Sequence, residues 1–475
     1  MAQGALTVER RTIEVIPAAE RHGTPANQFT LWFGANLQIT AIVDGALAVV
    51  FGAHVIWAIV GLLIGNILGG IIMALHSAQG PHLGLPQMIS SRAQFGVYGA
   101  VVPLLLVIVM YLGFTATGTV LAGQAINALL HVDAAAVGIC LFIAVVAVIA
   151  VVGHNLIHAV GRVASVLGVL GFGYLGVRLF TQHDVGAAFA SPHFVFATFL
   201  LAVSLGAGWQ LTYGPYVADY SRYLPAETPA RSTFWATLAG TVFGSQLSMT
   251  FGAVVAAVAG DAFLSSQVGW LGSLAGPALL AAVIYLLIVV GKLTVTCLNA
   301  YGSFMCAATT VTAFTGQQRV SRRVRAIFIV CMLLVSMGIA LLASADFLSN
   351  FKNFVLLLLM VFTPWSAINL TDYYLISKER FDLPALYEPD GRYGRWNAVA
   401  LVTYAVGVAV QIPFLAQTIY TGPFTKALGG ADISWLVGLV VPAVMYYLWA
   451  SRNVLAPSAT IGFEQQSAGR DSVRR

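Results

Sequence analysis

The chain has 475 residues, 59% hydrophobic and 9% charged, with a mean hydropathy of +0.86 and a formal net charge of +5. Soluble domains carry about 25% charged residues, so this composition excludes a water-soluble globule, and the positive balance implies no nucleic-acid partner. Recurrent apolar stretches of about 20 residues, each able to cross ~30 Å of hydrocarbon, predict an all-α polytopic membrane protein; a β-barrel would show short alternating segments instead.

In chain order, residues 1–28 form a polar tail with Glu9, Arg10, Arg11, Glu14, Glu20 and Arg21 and no apolar core, unlike a cleaved signal peptide. Twelve spans follow, at 29–51, 55–76, 98–123, 134–153, 160–180, 192–215, 232–260, 277–304, 324–344, 351–376, 396–417 and 432–451. With the N-terminus cytoplasmic, nineteen of the 23 Lys and Arg fall on the inner side. Arg178, Lys352 and Lys426 fall outside, and Lys292 alone is left within the membrane. That asymmetry predicts cytoplasmic termini, including a tail over 452–475, in a plasma (inner) membrane, multi-pass protein. Residues 262–276 are too short to span and are expected to lie over the outer face. Gly61, Gly65, Gly69 and Gly70 are spaced for close helix packing. The four cysteines lie in or beside apolar segments without paired spacing, as packing residues.

Two spans carry related interruptions. The first contains GANLQIT (Gly34–Thr40). The sixth contains GAGWQLT (Gly206–Thr212), followed by Gly214 and Pro215. Glycine and proline weaken helices, and backbone freed at mid-membrane is tolerated where it lines a cavity. Paired broken helices in corresponding halves point to a transporter's central site. The halves, 29–180 and 192–376, are expected to be five-span inverted repeats, with 396–451 adding two helices. Gln38, Gln210 and Asn299 each offer a donor and an acceptor, Trp209 offers a stacking face, and no basic cluster is available for a phosphate. In the eighth span Lys292, Thr296, Asn299 and Ser303 share one helix face, either as interhelical glue or as a cavity lining. Nothing reads as a nucleophile–base pair or a phosphate loop, so no enzyme is expected.

The segment ALHSAQGPHLGLPQMISSRAQFG (Ala74–Gly96), GWQ with VADYSRYLP (Val217–Pro225), LNAYGSF (Leu298–Phe304) and DYYLI (Asp372–Ile376) resemble the nucleobase–cation symporter-1 family, the purine–cytosine permeases. The resemblance covers most of 28–450. It implies a LeuT-type five-plus-five fold, alternating access, and a planar nitrogenous substrate between aromatics of spans three and six. Trp209 matches the span-six aromatic; Phe114, with Tyr111 as fallback, matches span three. Gln38 and Asn299 match the hydrogen-bonding residues, with Gly208 and Gln210 beside Trp209 in the same set.

In sodium-coupled members the ion sits between carbonyls of span one, here Gly34 and Leu37, and two adjacent hydroxyl residues of span eight. Those positions are Leu293 and Thr294 in this chain. One hydroxyl is missing and Lys292 precedes the pair, so the coupling ion is H+ or Na+, with the proton favoured. Two accounts of Lys292 compete: its ammonium stands in for sodium, or it pairs with Asp44. The expected function is a cation-coupled symporter importing a nucleobase such as cytosine or a purine. Alternatives are allantoin, hydantoin or a vitamin-like heterocycle on the same fold, and a passive channel. No cofactor is expected, and a monomer is.

Overall fold

Helix accounts for most of the computed structural model, which describes residues 14–152, 154–316, 321–418, 420–453, 457 and 459–462. The first half holds α1 (Pro25–Asn36), α2 (Ile39–Val50), α3 (Val55–Leu83), α4 (Val101–Leu130), α5 (Ala135–Val152) and α6 (His154–Gln182). The second holds α7 (Phe196–Leu211), α8 (Ala230–Ala259), α9 (Gln267–Ala275), α10 (Ala278–Thr315), α11 (Arg322–Ala343) and α12 (Phe347–Leu370). Then come α13 (Ala398–Ala409) and α14 (Ser434–Asn453). Among the described residues, six helices are long and apolar enough to cross a membrane, or seven with α1 and α2 counted as one span, and three shorter apolar ones accompany them. Residues 1–13 and 463–475 of the expected tails lie outside the described residues.

The first span is broken as its sequence predicts. Pro25 occupies the first turn of α1 and the Thr24 amide donates to Asn27 Oδ1 at 2.7 Å, so the helix starts cleanly. It stops at Asn36; Leu37 and Gln38 leave helical geometry, and α2 sets off at 62° to α1. The break in the sixth span falls later than its GAGWQLT motif. That motif stays helical to Leu211, and turns occupy 212–217, around Gly214 and Pro215.

Glycines let the backbones of α1, α2, α3, α7 and α8 touch. A Cβ at Gly65 would lie 2.1 Å from the Val203 carbonyl oxygen of α7, and one at Gly252 of α8 would lie 1.8 Å from the Ile42 carbonyl oxygen of α2. Any larger residue there forces the helices apart. Gly61 and Gly69 meet α7 in the same way, whereas Gly70 faces side chains of α8. A second group forms where α10 runs along α4, and α9 is tied across them by Gln124 Nε2 donating to Gln267 Oε1 at 2.9 Å.

The segment Ala74–Gly96 is more than a connecting loop. Apart from Leu75 and His82 its residues are buried, in the end of α3 and two single turns. Its amides run in a chain: Gln79 donates to Asn369, Asn369 to Gln94, and Gln94 to Asp372. This pins the segment to the π-helical turn Thr371–Ile376 that continues α12.

Candidate substrate and coupling site

The two interrupted spans meet at Asn36, the last residue of α1. Its Oδ1 accepts Trp209 Nε1 at 2.7 Å and the Tyr213 hydroxyl at 3.1 Å. Its Nδ2 donates to the Trp32 carbonyl at 2.7 Å and to Thr241 Oγ1 at 3.1 Å. Both ends of the amide are therefore spent inside the protein. Thr241 Oγ1 passes the chain on to Gln210 Oε1 at 2.6 Å, and Gln210 Nε2 donates to Asn66 Oδ1 and Ser245 Oγ, each at 2.9 Å. Gln210 has no exposed surface and faces α3 and α8. Gly208 faces α12, where an added Cβ would lie 3.0 Å from Val355 Cγ1. These two expected substrate contacts therefore point away from the centre: their motif lies on α7, whose rotation is set by packing on three sides.

Trp209 does face the centre. Phe114 of α4 meets it edge to face, centroids 6.0 Å apart at 89°. A ring stacked between two others needs about 3.5 Å on each side, so Phe114 must turn before a planar ligand fits between them. Tyr111, the fallback, packs on Tyr216 beyond the break, at 5.7 Å and 35°. Trp32, Tyr213 and Tyr216 continue that aromatic cluster.

On α10, Gly118 of α4 lies against Lys292 and Thr296, and Tyr111 lies against Gly302. Asn299, between these contacts on the same face, is thus level with Phe114. Its half-buried amide takes no hydrogen-bond partner among the described residues, nor do the hydroxyls of Thr296 and Ser303. Of the expected stripe, Lys292 alone is paired among the described residues.

Lys292 closes the site. Its Nζ donates to Gln38 Oε1 at 2.7 Å and to Thr40 Oγ1, crossing from α10 to the break between α1 and α2. Gln38 also accepts the Thr40 hydroxyl at 2.9 Å and donates one amide hydrogen to the Ala35 carbonyl at 3.0 Å. The Gln38 amide also lies against the Tyr213 hydroxyl. The Gly34 carbonyl accepts the Leu37 amide at 3.1 Å, and Thr294 Oγ1 donates to Val290 of its own helix at 3.1 Å. The expected cradle of Gly34, Leu37 and Thr294 is thus not assembled around Lys292; the ammonium rests on side-chain oxygens instead. The alternative pair with Asp44 is not formed either, for both Asp44 carboxyl oxygens are buried without a partner. Asn36, Thr40, Asn66 and Thr241 were not singled out from the sequence. Asn36 and Thr40 stand inside GANLQIT, and Asn66 is a lone amide in the apolar run LLIGNILGG, a signal in itself.

Interrupted apolar helices meeting at a polar centre inside an all-helical membrane protein define a transporter rather than an enzyme. Residues 15–438 match the family model for permeases for cytosine/purines, uracil, thiamine and allantoin, and the chain belongs to that family. It is 38% identical over 445 residues to a putative purine-cytosine permease, YxlA, of Bacillus subtilis, covering 93% of this chain and 96% of that one. It is 26% identical to the purine-cytosine permease fcyB of Emericella nidulans, over 93% of this chain and 88% of that one. The fold resembles Mhp1, a nucleobase-cation-symport-1 family transporter, at 19% identity. The TM-score is 0.76 to its inward-facing form, covering 98% of both chains, and 0.73 to a closed form with bromovinylhydantoin bound, covering 98% of this chain and 99% of that one.

Proposed function

We propose that this permease is a proton-coupled symporter that imports a nucleobase such as cytosine or a purine by alternating access. The ring lies between Trp209 and a turned Phe114. The Asn299 amide reads its N–H/C=O edge in two hydrogen bonds, and the Gln38 amide, turning from Tyr213, supplies a third. The observation that carries the proposal is the Lys292 ammonium on Gln38 and Thr40, a cation built into the break in the first span. With leucine at 293 and the Thr294 hydroxyl turned to its own helix, the donor set does not fit the sodium cradle. Coupling then falls to a proton. The purine-cytosine names of the relatives support the substrate class. Five-span inverted halves over 29–180 and 192–376, twelve spans in all, cytoplasmic termini in an inner membrane and a monomeric unit complete the proposal.

Thermal shift of the purified protein against nucleobases tests the substrate. A ligand at 100 times its dissociation constant stabilises by about 2.7 kcal/mol. Allantoin and hydantoin present the same polar edge, and competition with labelled cytosine separates them. Uptake unchanged when choline replaces sodium, and accumulation under an inward proton gradient, are expected; equilibration without accumulation would instead mark a passive channel.

A further inference from the structure

Asp44 sits in α2 with no exposed surface, and neither carboxyl oxygen takes a hydrogen bond. Another buried acid of the chain is treated differently: Asp372 receives Gln94 Nε2 at 2.8 Å, the Tyr446 hydroxyl at 3.0 Å and the Ser377 hydroxyl at 3.2 Å. A carboxylate left ionised and unpaired in an apolar interior is very costly, and ionisable groups at membrane depth usually mark ion or proton pathways. Thr40 lies one turn before Asp44 on the same face of α2, and Thr40 Oγ1 holds the Lys292 ammonium. Four residues rise by about 6 Å, a distance within reach of a flexible four-carbon stem.

Few other ionisable groups surround α2. α12 brings Lys352, whose Nζ lies 3.8 Å from the centroid of the Phe51 ring, nearly two turns beyond Asp44. The turn after α7 brings Tyr213, engaged with Asn36. α4 carries Tyr111 against Gly302. α1 and α7 carry no Asp, Glu, Lys, Arg or His, and those of α3 and α8 (His76, His82, Arg231) lie at the helix ends far from Asp44.

We infer that Asp44 is the second seat of the Lys292 ammonium, and that its carboxyl takes up and releases the coupled proton. In the seat seen here the ammonium rests on neutral oxygens and Asp44 keeps its proton. When the ammonium moves one turn along α2, the carboxyl O–H bond breaks. The proton passes to water on the open side, and a Lys292–Asp44 ion pair remains. A proton arriving on Asp44 breaks the pair and returns the ammonium to Gln38 and Thr40, so one proton crosses per cycle. Gln38 shares its amide between the lysine and the ring, which ties the lysine's position to substrate. This rests on the proposed nucleobase transport, so the test includes a readout that needs no substrate.

Full-length protein in proteoliposomes is given labelled cytosine and an inward gradient of one pH unit, which at one proton per ring supports about tenfold accumulation. Asp44→Asn is expected to lose that accumulation yet retain exchange of internal for external cytosine. Infrared difference spectra on raising the pH, without substrate, are expected to show a carboxylic-acid band in the wild type that Asp44→Asn lacks. Should Asp44→Asn not fold, Lys292→Met serves: with no ammonium to receive, Asp44 should keep its acid band at alkaline pH where the wild type loses it. Wild-type accumulation by Asp44→Asn, an acid band intact in Asp44→Asn, or a Lys292→Met band that titrates like the wild type would each overturn the inference. If no ring is carried while the band behaves as expected, the substrate assignment fails and the second seat stands.

Discussion

Around Asn36 and Gln210, amides and hydroxyls from α1, α3, α7 and α8 pair with one another: Asn36 makes four side-chain bonds and Gln210 three. Across the centre, on α10, Thr296, Asn299 and Ser303 make none with the described residues, and neither does Asp44 in α2. Both sets are polar groups inside an apolar molecule, so composition does not separate them. Pairing does. A closed network lowers the cost of burying amides and fixes helix against helix. An open one keeps donors and acceptors for something the chain does not supply. The closed set lies within one group of helices and the open set faces the boundary between two. On the proposed reading, binding falls at that boundary and rigidity within the closed group.

The largest effect is expected from removing the open set's amide. Asn299→Ala should leave the fold intact, since the amide bonds nothing in the protein. It should abolish measurable nucleobase binding, because each substrate polar group left unpaired costs about 1–3 kcal/mol. Calorimetric titration of the purified variant with cytosine checks this; unchanged affinity would move the pocket elsewhere.

Breaking the closed set should do the reverse. Gln210→Ala strands Asn66 Oδ1 and the hydroxyls of Thr241 and Ser245 in the interior. A loss of about 1–3 kcal/mol of stability is expected, with ring affinity in the surviving protein within a few fold of wild type. Melting and titration of the same preparation decide it, and a selective loss of affinity would return Gln210 to the pocket.

How much of this the sequence discloses depends on what each residue type encodes. Hydropathy marks the spans, and GANLQIT marks a true break, at Leu37 and Gln38. Gly61, Gly65 and Gly69 announce close approach and deliver it. The same residue type misleads in GAGWQLT. Gly206 is used for contact, an added Cβ meeting the Leu62 carbonyl oxygen at 2.7 Å, so the helix runs on and Gly214-Pro215 ends it. Rotation about the axis of α7 is also hidden. The helix is apolar around most of its circumference, so no periodic polar stripe says which way Gln210 turns. Lys292 is legible as a cation that needs partners. Its choice of Gln38 and Thr40 over Asp44 is not, because both seats lie within one turn and only side-chain conformation separates them.

The smallest expected effect probes the border between the two sets, at Thr294. Its hydroxyl is neither in the closed network nor aimed across the centre; it donates back to the Val290 carbonyl one turn earlier at 3.1 Å. Such back-bonds add little to a helix whose carbonyl is already used by the backbone. Thr294→Val keeps the branched shape and removes only the hydroxyl. A stability change within about 0.5 kcal/mol is expected, as for substitutions away from any special feature. Uptake should match wild type in sodium and in choline alike, because the cation at the break is Lys292 and needs no hydroxyl from position 294. Transport assays of wild type and Thr294→Val in paired sodium and choline buffers measure this directly. Sodium-stimulated uptake in the wild type that disappears in Thr294→Val would show that the hydroxyl swings to the break during the cycle. Position 294 would then belong to the open set, and the lysine would share its place with an ion.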